Sequence, residues 1–272
     1  MDDGSDLAII SGSGKLPLLI KNSYKNAINF SFTESEKETE NKFIKCEFEK
    51  LGFLFDSLKQ NRIRRVVMAG AINRPRFDKS NLDDYTLSIM PKLTAKLVQG
   101  DNELLSFIAD EFEKNGYQII GAAEILPNLI LKPGFVCGVP YEFIARDVKK
   151  ADRILKLLSP EDIGQGVVVE NGLVLGIETL QGTNELLRFV ARTGSHLRLD
   201  GNGGVFVKRP KANQNLRFDM PVIGPETIKL AIQAGLRGLV VSPHSVIILD
   251  KEKCVQIAEA NNFFILAEET IN

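Results

Sequence analysis

The residues best suited to chemistry lie in one stretch near the C-terminus, "VKRPKANQNLRFDMPVIGP", residues 207–225. Lys208, Arg209, Lys211 and Arg217 crowd this loop around a single carboxylate, Asp219. Basic groups so placed can neutralise a phosphate, and an acid among them can hold a magnesium ion or accept a proton from water. Upstream, Glu178 ends a strand-like segment and Gly182-Thr183-Asn184 starts a helix, a second seat for an anion. A salt-bridged surface loop fits the same residues equally well, so the pattern leaves both readings open. His196 and His244 are the only histidines, and neither has a partner at metal-ligand spacing. They read as surface or packing residues.

Two glycine turns near the N-terminus are the other candidates. "IISGSGKLP", residues 9–17, breaks from an apolar run into Ser11, Gly12, Ser13, Gly14 and Lys15, and Pro17 then opens a helix. Free backbone N–H groups at a helix start suit a phosphate. The dinucleotide fingerprint fails here because Pro17 stands where its third glycine belongs, and the nucleoside-triphosphate loop fails at Leu16. A bland tight turn and an anion site fit about equally. "GAINRPRFD", residues 70–78, places Gly70, Arg74 and Arg76 after a buried-type strand. Arginine suits phosphate through paired, parallel hydrogen bonds. A solvated loop is the alternative. Asp78 is the acid on this side.

The elements that must position these residues follow from periodicity. Strands are expected at 7–10, 27–32, 42–48, 65–69 and 117–121, and helices at 17–25, 51–61 and 102–114. This alternation predicts an α/β fold, with a Rossmann-like parallel sheet in an N-terminal domain over 1–128. Its ligands bind beyond the carboxyl ends of the strands, where both glycine turns lie. "PNLILKPGFVCGVP" breaks both periodicities and reads as a boundary, with a linker at 129–140. Beyond it, 141–272 reads as a second, mixed α/β (α+β) domain. Asn171-Gly172 between two apolar runs predicts a hairpin. Helices are expected at 184–192, 226–234 and 254–260, and strands at 205–208, 239–241 and 246–249.

Composition narrows the classes. The chain has 272 residues, 44% hydrophobic and 25% charged, with a net charge of -1. No global basic field invites nucleic acid, so an anion must be held by a local site. Three scattered cysteines give no disulfide framework, and a reducing cytoplasm is expected. No signal peptide or membrane-spanning run is read.

The motifs also occur together. "SGSGKLP", "MAGAINRP", "GDNELL", "DIGQGVVVENG", "IETLQGTNELL" and the long block from "VKRPKANQNLRFDMPVIGP" through "ETIKLAIQAGLRGL" stand in the order of one family. The chain resembles the LpxI family of UDP-2,3-diacylglucosamine pyrophosphatases of lipid A biosynthesis in Gram-negative bacteria. The resemblance implies a hydrolase dependent on magnesium, or on manganese in its place, that yields UMP and 2,3-diacylglucosamine 1-phosphate (lipid X). It implies two domains with the ligand between them, a homodimer, and a protein that meets the inner membrane's inner face peripherally through its lipid substrate. Asp219 maps onto the family's essential aspartate, with Glu178, Thr183, Lys208 and Gln214 at neighbouring family positions. Asp219, Glu178 and Lys208 are then expected to be catalytic, the first two holding the metal. Ser11 to Lys15, Gly70, Arg74, Thr183, Gln214 and Arg217 are expected to bind substrate. Where this family usually carries acids, the sequence has Gln181, Asn184 and Asn215. Two alternatives stay open: a catalytically weakened sugar-nucleotide or lipid-binding protein, and a nicotinamide-dependent oxidoreductase.

Overall fold

A computed structural model of the chain describes residues 3–33, 43–72, 75, 77–141, 144–198 and 203–270. Its internal contacts divide it into two units, Met1–Leu126 with Arg217–Asp219, and Pro127–Leu216 with Met220–Asn272.

The first unit contains, in order, β1 (Leu7–Ser11), α1 (Leu16–Ser23), β2 (Ile28–Ser31), β3 (Phe43–Lys45), α2 (Leu51–Gln60) and β4 (Arg65–Ala69). Then come α3 (Asp84–Leu97), α4 (Asp101–Lys114), β5 (Gln118–Ile119) and α5 (Ala122–Ile125). The five strands form one sheet in the order β3-β2-β1-β4-β5, parallel throughout. Strand β1 is buried along its whole length, which is why its sequence is a continuous apolar run rather than an alternation. From β1 the chain winds outward through β2 to β3, then returns to β4 on β1's other side. That reversal between β1 and β4 is the switch point where Rossmann-type sheets bind ligands.

Helix α3 was not expected from the sequence. Pro91 lies inside it, and only Thr86 and Leu93 are buried, so it shows almost no apolar stripe. Its start is fixed by Asp83, whose carboxylate accepts the Thr86 N–H at 2.8 Å. Phe55 on α2 packs against Tyr85 and Phe112, at centroid distances of 4.9 and 5.3 Å, tying α2, α3 and α4 together. Phe218 is half-buried against this same core, and Arg217 pairs with Glu113 of α4 at 3.0 Å. These contacts place 217–219 with the first unit.

The second unit contains β6 (Gly134–Cys137), α6 (Ile144–Leu158), β7 (Gly166–Glu170), β8 (Leu173–Ile177), α7 (Gly182–Ala191), β9 (Val205–Lys208), β10 (Val222–Ile223) and α8 (Pro225–Gln233). It ends with β11 (Gly238–Val241), β12 (Ile247–Ile248), α9 (Lys251–Ala260) and β13 (Phe264–Ala267). Its main sheet is mixed, in the order β6-β13-β11-β9-β7-β8, and β10 and β12 pair separately. Strand β6 arises within 129–140, antiparallel to β13. Helix α6 packs Val148, Ala151 and Leu155 on one face of the sheet. Helices α7, α8 and α9 pack Leu187, Ile228 and Ala258 on the other.

The hairpin turn has Asn171 at φ 49° and Gly172 at φ 81°, the two left-handed positions a tight β-hairpin needs. Asp147 of α6 anchors it by accepting both turn N–H groups, at 2.9 and 2.7 Å. Helix α6 carries Ile144, Val148, Ala151, Leu155 and Leu158 at helical spacing, and it turns two acids, Asp147 and Asp152, inward beside that stripe. Among the described residues no helix is long and apolar enough to cross a membrane.

Candidate functional site

In the second unit, three of the expected residues converge at one end of the mixed sheet. Lys208, the last residue of β9, pairs directly with Gly166, the first of β7. Glu178 follows β8 and donates its N–H to the Gly166 carbonyl at 2.8 Å, which sets it in the same row across the sheet. Thr183 enters from the first turn of α7. That helix lies close because Gly176 of β8 has no side chain; a Cβ there would meet Leu186 at 2.6 Å.

The three side chains form a closed group. Lys208 Nζ donates to Glu178 Oε2 at 3.1 Å and to Thr183 Oγ1 at 2.7 Å. Thr183 Oγ1 in turn donates to Glu178 Oε1 at 2.9 Å. Glu178 is 7% exposed and Lys208 3%, so the pair is shielded from water and the ammonium is held at one point.

The other cations of the basic loop each pair with a carboxylate elsewhere in the chain. Arg209 is 3% exposed, with Nε 2.9 Å from Asp152 Oδ1 and a further bond to the Glu268 carbonyl. Lys211 reaches Asp162 at 2.5 Å, and Arg217 reaches Glu113. The four cations therefore answer four separate carboxylates, Glu178, Asp152, Asp162 and Glu113. Gln214 is buried and closes a local turn, its Oε1 accepting the Lys211 N–H at 2.8 Å. Asp219 is half-buried and belongs with the first unit, whereas Glu178, Thr183, Lys208 and Gln214 belong to the second.

The N-terminal turns sit at the β1/β4 switch point. The Gly12 N–H goes to the Ala69 carbonyl at 2.9 Å, and Ser13 and Ala71 exchange N–H to carbonyl bonds at 2.8 and 2.9 Å. The Ser13 hydroxyl adds a 3.1 Å bond to the Ala71 carbonyl, and the buried Ser11 hydroxyl points to the Phe30 carbonyl at 3.5 Å. A Cβ on Gly12 would meet the Ala71 oxygen at 2.3 Å, and one on Gly70 would meet the Ser13 oxygen at 2.6 Å. These two glycines let the turns interlock. The N–H groups of Gly12 and Ser13, expected to be free for a phosphate, are spent on that lock. Gly14, at φ 104°, and Lys15 are exposed beyond it at the start of α1, and the space beside Gly14 is open. Arg74 and Arg76 lie outside the described residues.

Among the described residues no three His, Cys, Asp or Glu side chains cluster to hold a metal. Glu178 already faces an ammonium and a hydroxyl. A lone carboxylate such as that of Asp219 can take part in a magnesium site completed by phosphate oxygens and waters. His196 and His244 are exposed, as expected of surface residues. Burial pushes the Cys46 and Cys254 thiols up to about 12, which removes them as nucleophiles at neutral pH. Asp78 caps a short turn, and the Ser80 hydroxyl and N–H hold its carboxyl below the usual range.

Comparison with known proteins matches two family models to successive parts of the chain. Models of the LpxI N-terminal domain and the LpxI C-terminal domain match residues 6–129 and 134–266. A protein of Caulobacter vibrioides named UDP-2,3-diacylglucosamine pyrophosphatase LpxI is 35% identical over 220 residues, spanning 80% of this chain and 79% of that one.

Proposed function

The chain belongs to the LpxI family, and from that premise we propose that it hydrolyses the diphosphate of UDP-2,3-diacylglucosamine to UMP and lipid X in lipid A biosynthesis. The observation that carries the reading is coverage: the family matches run through both units, including the Glu178–Thr183–Lys208 group and Asp219. Membership displaces the nicotinamide-dependent alternative.

The division of labour follows from the side chains. A diphosphate resists water because its oxygens repel a nucleophile, so fixed donors must offset the charge that develops during attack. Lys208 can supply one. Its two shorter bonds use two of three N–H groups, and the third makes only a 3.4 Å contact with Glu178 Oε1. That third N–H turns to a phosphate oxygen, while Glu178 and Thr183 fix the direction of the other two. Asp219 serves the attacking water, either by orienting it or by holding a metal ion. Magnesium or manganese, where bound, would be held at Asp219 with phosphate oxygens and would supply charge neutralisation. The exposed Gly14–Lys15 end of the first glycine turn takes the uridine-side phosphate, with Arg74 and Arg217 as further donors.

Oligomeric state and membrane contact belong to the same proposal: a homodimer that meets the membrane through its lipid substrate. Gln181 and Asn184, neutral and exposed at the start of α7, favour one rival, a binding protein with weakened catalysis. Turnover decides between them. Purified protein is incubated with UDP-2,3-diacylglucosamine and magnesium, and UMP and lipid X are measured by mass spectrometry. Stoichiometric release of both over many turnovers supports the enzyme; binding without release supports the rival.

A further inference from the structure

Strand β7 lies between β8 and β9, so Glu178 and Lys208 start from backbones two strand spacings apart, about 10 Å. Their side chains nevertheless meet at 3.1 Å, and they do so over Gly166. Residues opposite each other on neighbouring strands present their side chains to the same face, so any side chain at 166 would stand between the two. A Cβ built there would lie 2.6 Å from Glu178 Oε2, inside contact distance, and 2.6 Å from Phe206 Cε2. Gly166 is not one of the glycines with positive φ, so the backbone does not require glycine. The requirement is space. Gly164 reinforces it: at φ 56°, a Cβ there would fall 1.8 Å from the Glu178 carbonyl oxygen.

We propose that Gly166 is a positioning residue, a slot through which the Glu178 carboxylate crosses the middle strand to orient the Lys208 ammonium. The geometric part stands by itself; the catalytic consequence rests on the hydrolase reading above.

The Phe206 ring is the competing explanation, since Gly166 also makes room for it. All variants are therefore built on Phe206→Leu, which removes the ring. First, urea unfolding midpoints are measured for Glu178→Gln, Lys208→Met and the double variant, with Gly166 and again with Gly166→Ala. With glycine, the two substitutions together should cost clearly less than their sum; with alanine, the costs should add. Equal non-additivity in both series overturns the proposal. Second, kcat for UDP-2,3-diacylglucosamine should fall about 100-fold on adding Gly166→Ala to Phe206→Leu, with KM moving less than about threefold. Adding Glu178→Gln to that variant should lower kcat no further. A kcat that stays within about threefold overturns the catalytic consequence. If the wild type and Phe206→Leu both fail to turn over substrate, the hydrolase reading falls, and the unfolding series alone decides the role of Gly166.

Discussion

Arg209→Met separates a structural cation from a substrate-binding one within the same loop. Arg209 and Asp152 are 4% and 2% exposed at their side chains, and the guanidinium also satisfies the Glu268 carbonyl. Removing the arginine takes the cation away from a buried carboxylate on α6, and breaking a buried pair this way costs about 3–5 kcal/mol. For a unit of roughly 150 residues, 1 kcal/mol moves the melting temperature by about 2–4 °C, so the variant should melt about 6–20 °C lower. Its folded fraction, assayed well below that melt, should keep kcat within about threefold of wild type. Adding Asp152→Leu should return most of the stability, because an apolar pair of similar size buries no charge. Arg217→Met should do the reverse. Its pair with Glu113 is 47% and 44% exposed, worth at most about 1 kcal/mol, so the melt should hardly move while KM rises. Calorimetry with parallel steady-state kinetics reads both. A melt of Arg209→Met within about 2 °C of wild type would refute the buried-pair assignment.

Asp219→Ala should fold normally and lose hydrolysis; turnover within about tenfold of wild type, near 1.4 kcal/mol in barrier, would remove Asp219 from the reaction. Activity should vanish with a chelator and return with magnesium or manganese, and full activity in a stripped sample would exclude a metal. Asn184→Asp should lower the magnesium concentration for half-maximal rate, and an unchanged value would place that position outside the metal's reach. Hydrolysis in oxygen-18 water should put the label in lipid X, because water is expected to attack the sugar-side phosphorus; label in UMP would contradict the assignment of Lys208 and Asp219 to that phosphate.

Much of the fold was readable because local chemistry and burial agree. Strands β1 and β4 are apolar runs buried on both faces, Asn171-Gly172 forms the expected turn, and α1 and α8 carry a proline in their first turn. The failures are of two kinds. Helix α6 does carry a stripe, Ile144, Val148, Ala151, Leu155 and Leu158, and beside it Asp147 and Asp152 turn inward to anchor a hairpin and bind Arg209. Helix α3 buries little and contains a proline. Strand β6 lies among the prolines and glycines that read as a linker, and pairing with β13 overrides them. For α3 and β6 a tertiary partner supplies what the local pattern lacks. Periodicity cannot register that.

The candidate site was readable as a set of residue types and not as a charge distribution. Four cations against one acid is the count over residues 208–219. Their partners lie 30, 57, 49 and 104 positions away, beyond any local spacing rule. Once paired, Lys208 and Arg209 no longer project a free positive charge, and the Lys208 N–H groups are held in fixed directions. That changes what the site can do. A loose cationic loop would attract any polyanion and yield to salt, whereas a buried ammonium clamped by a carboxylate and a hydroxyl can favour one oxygen at one position. The one sequence sign of this was a lysine ending the apolar run Val205–Val207. A charge there is buried with the strand and needs an acid beside it, and Gly166 leaves room for Glu178 to be that acid.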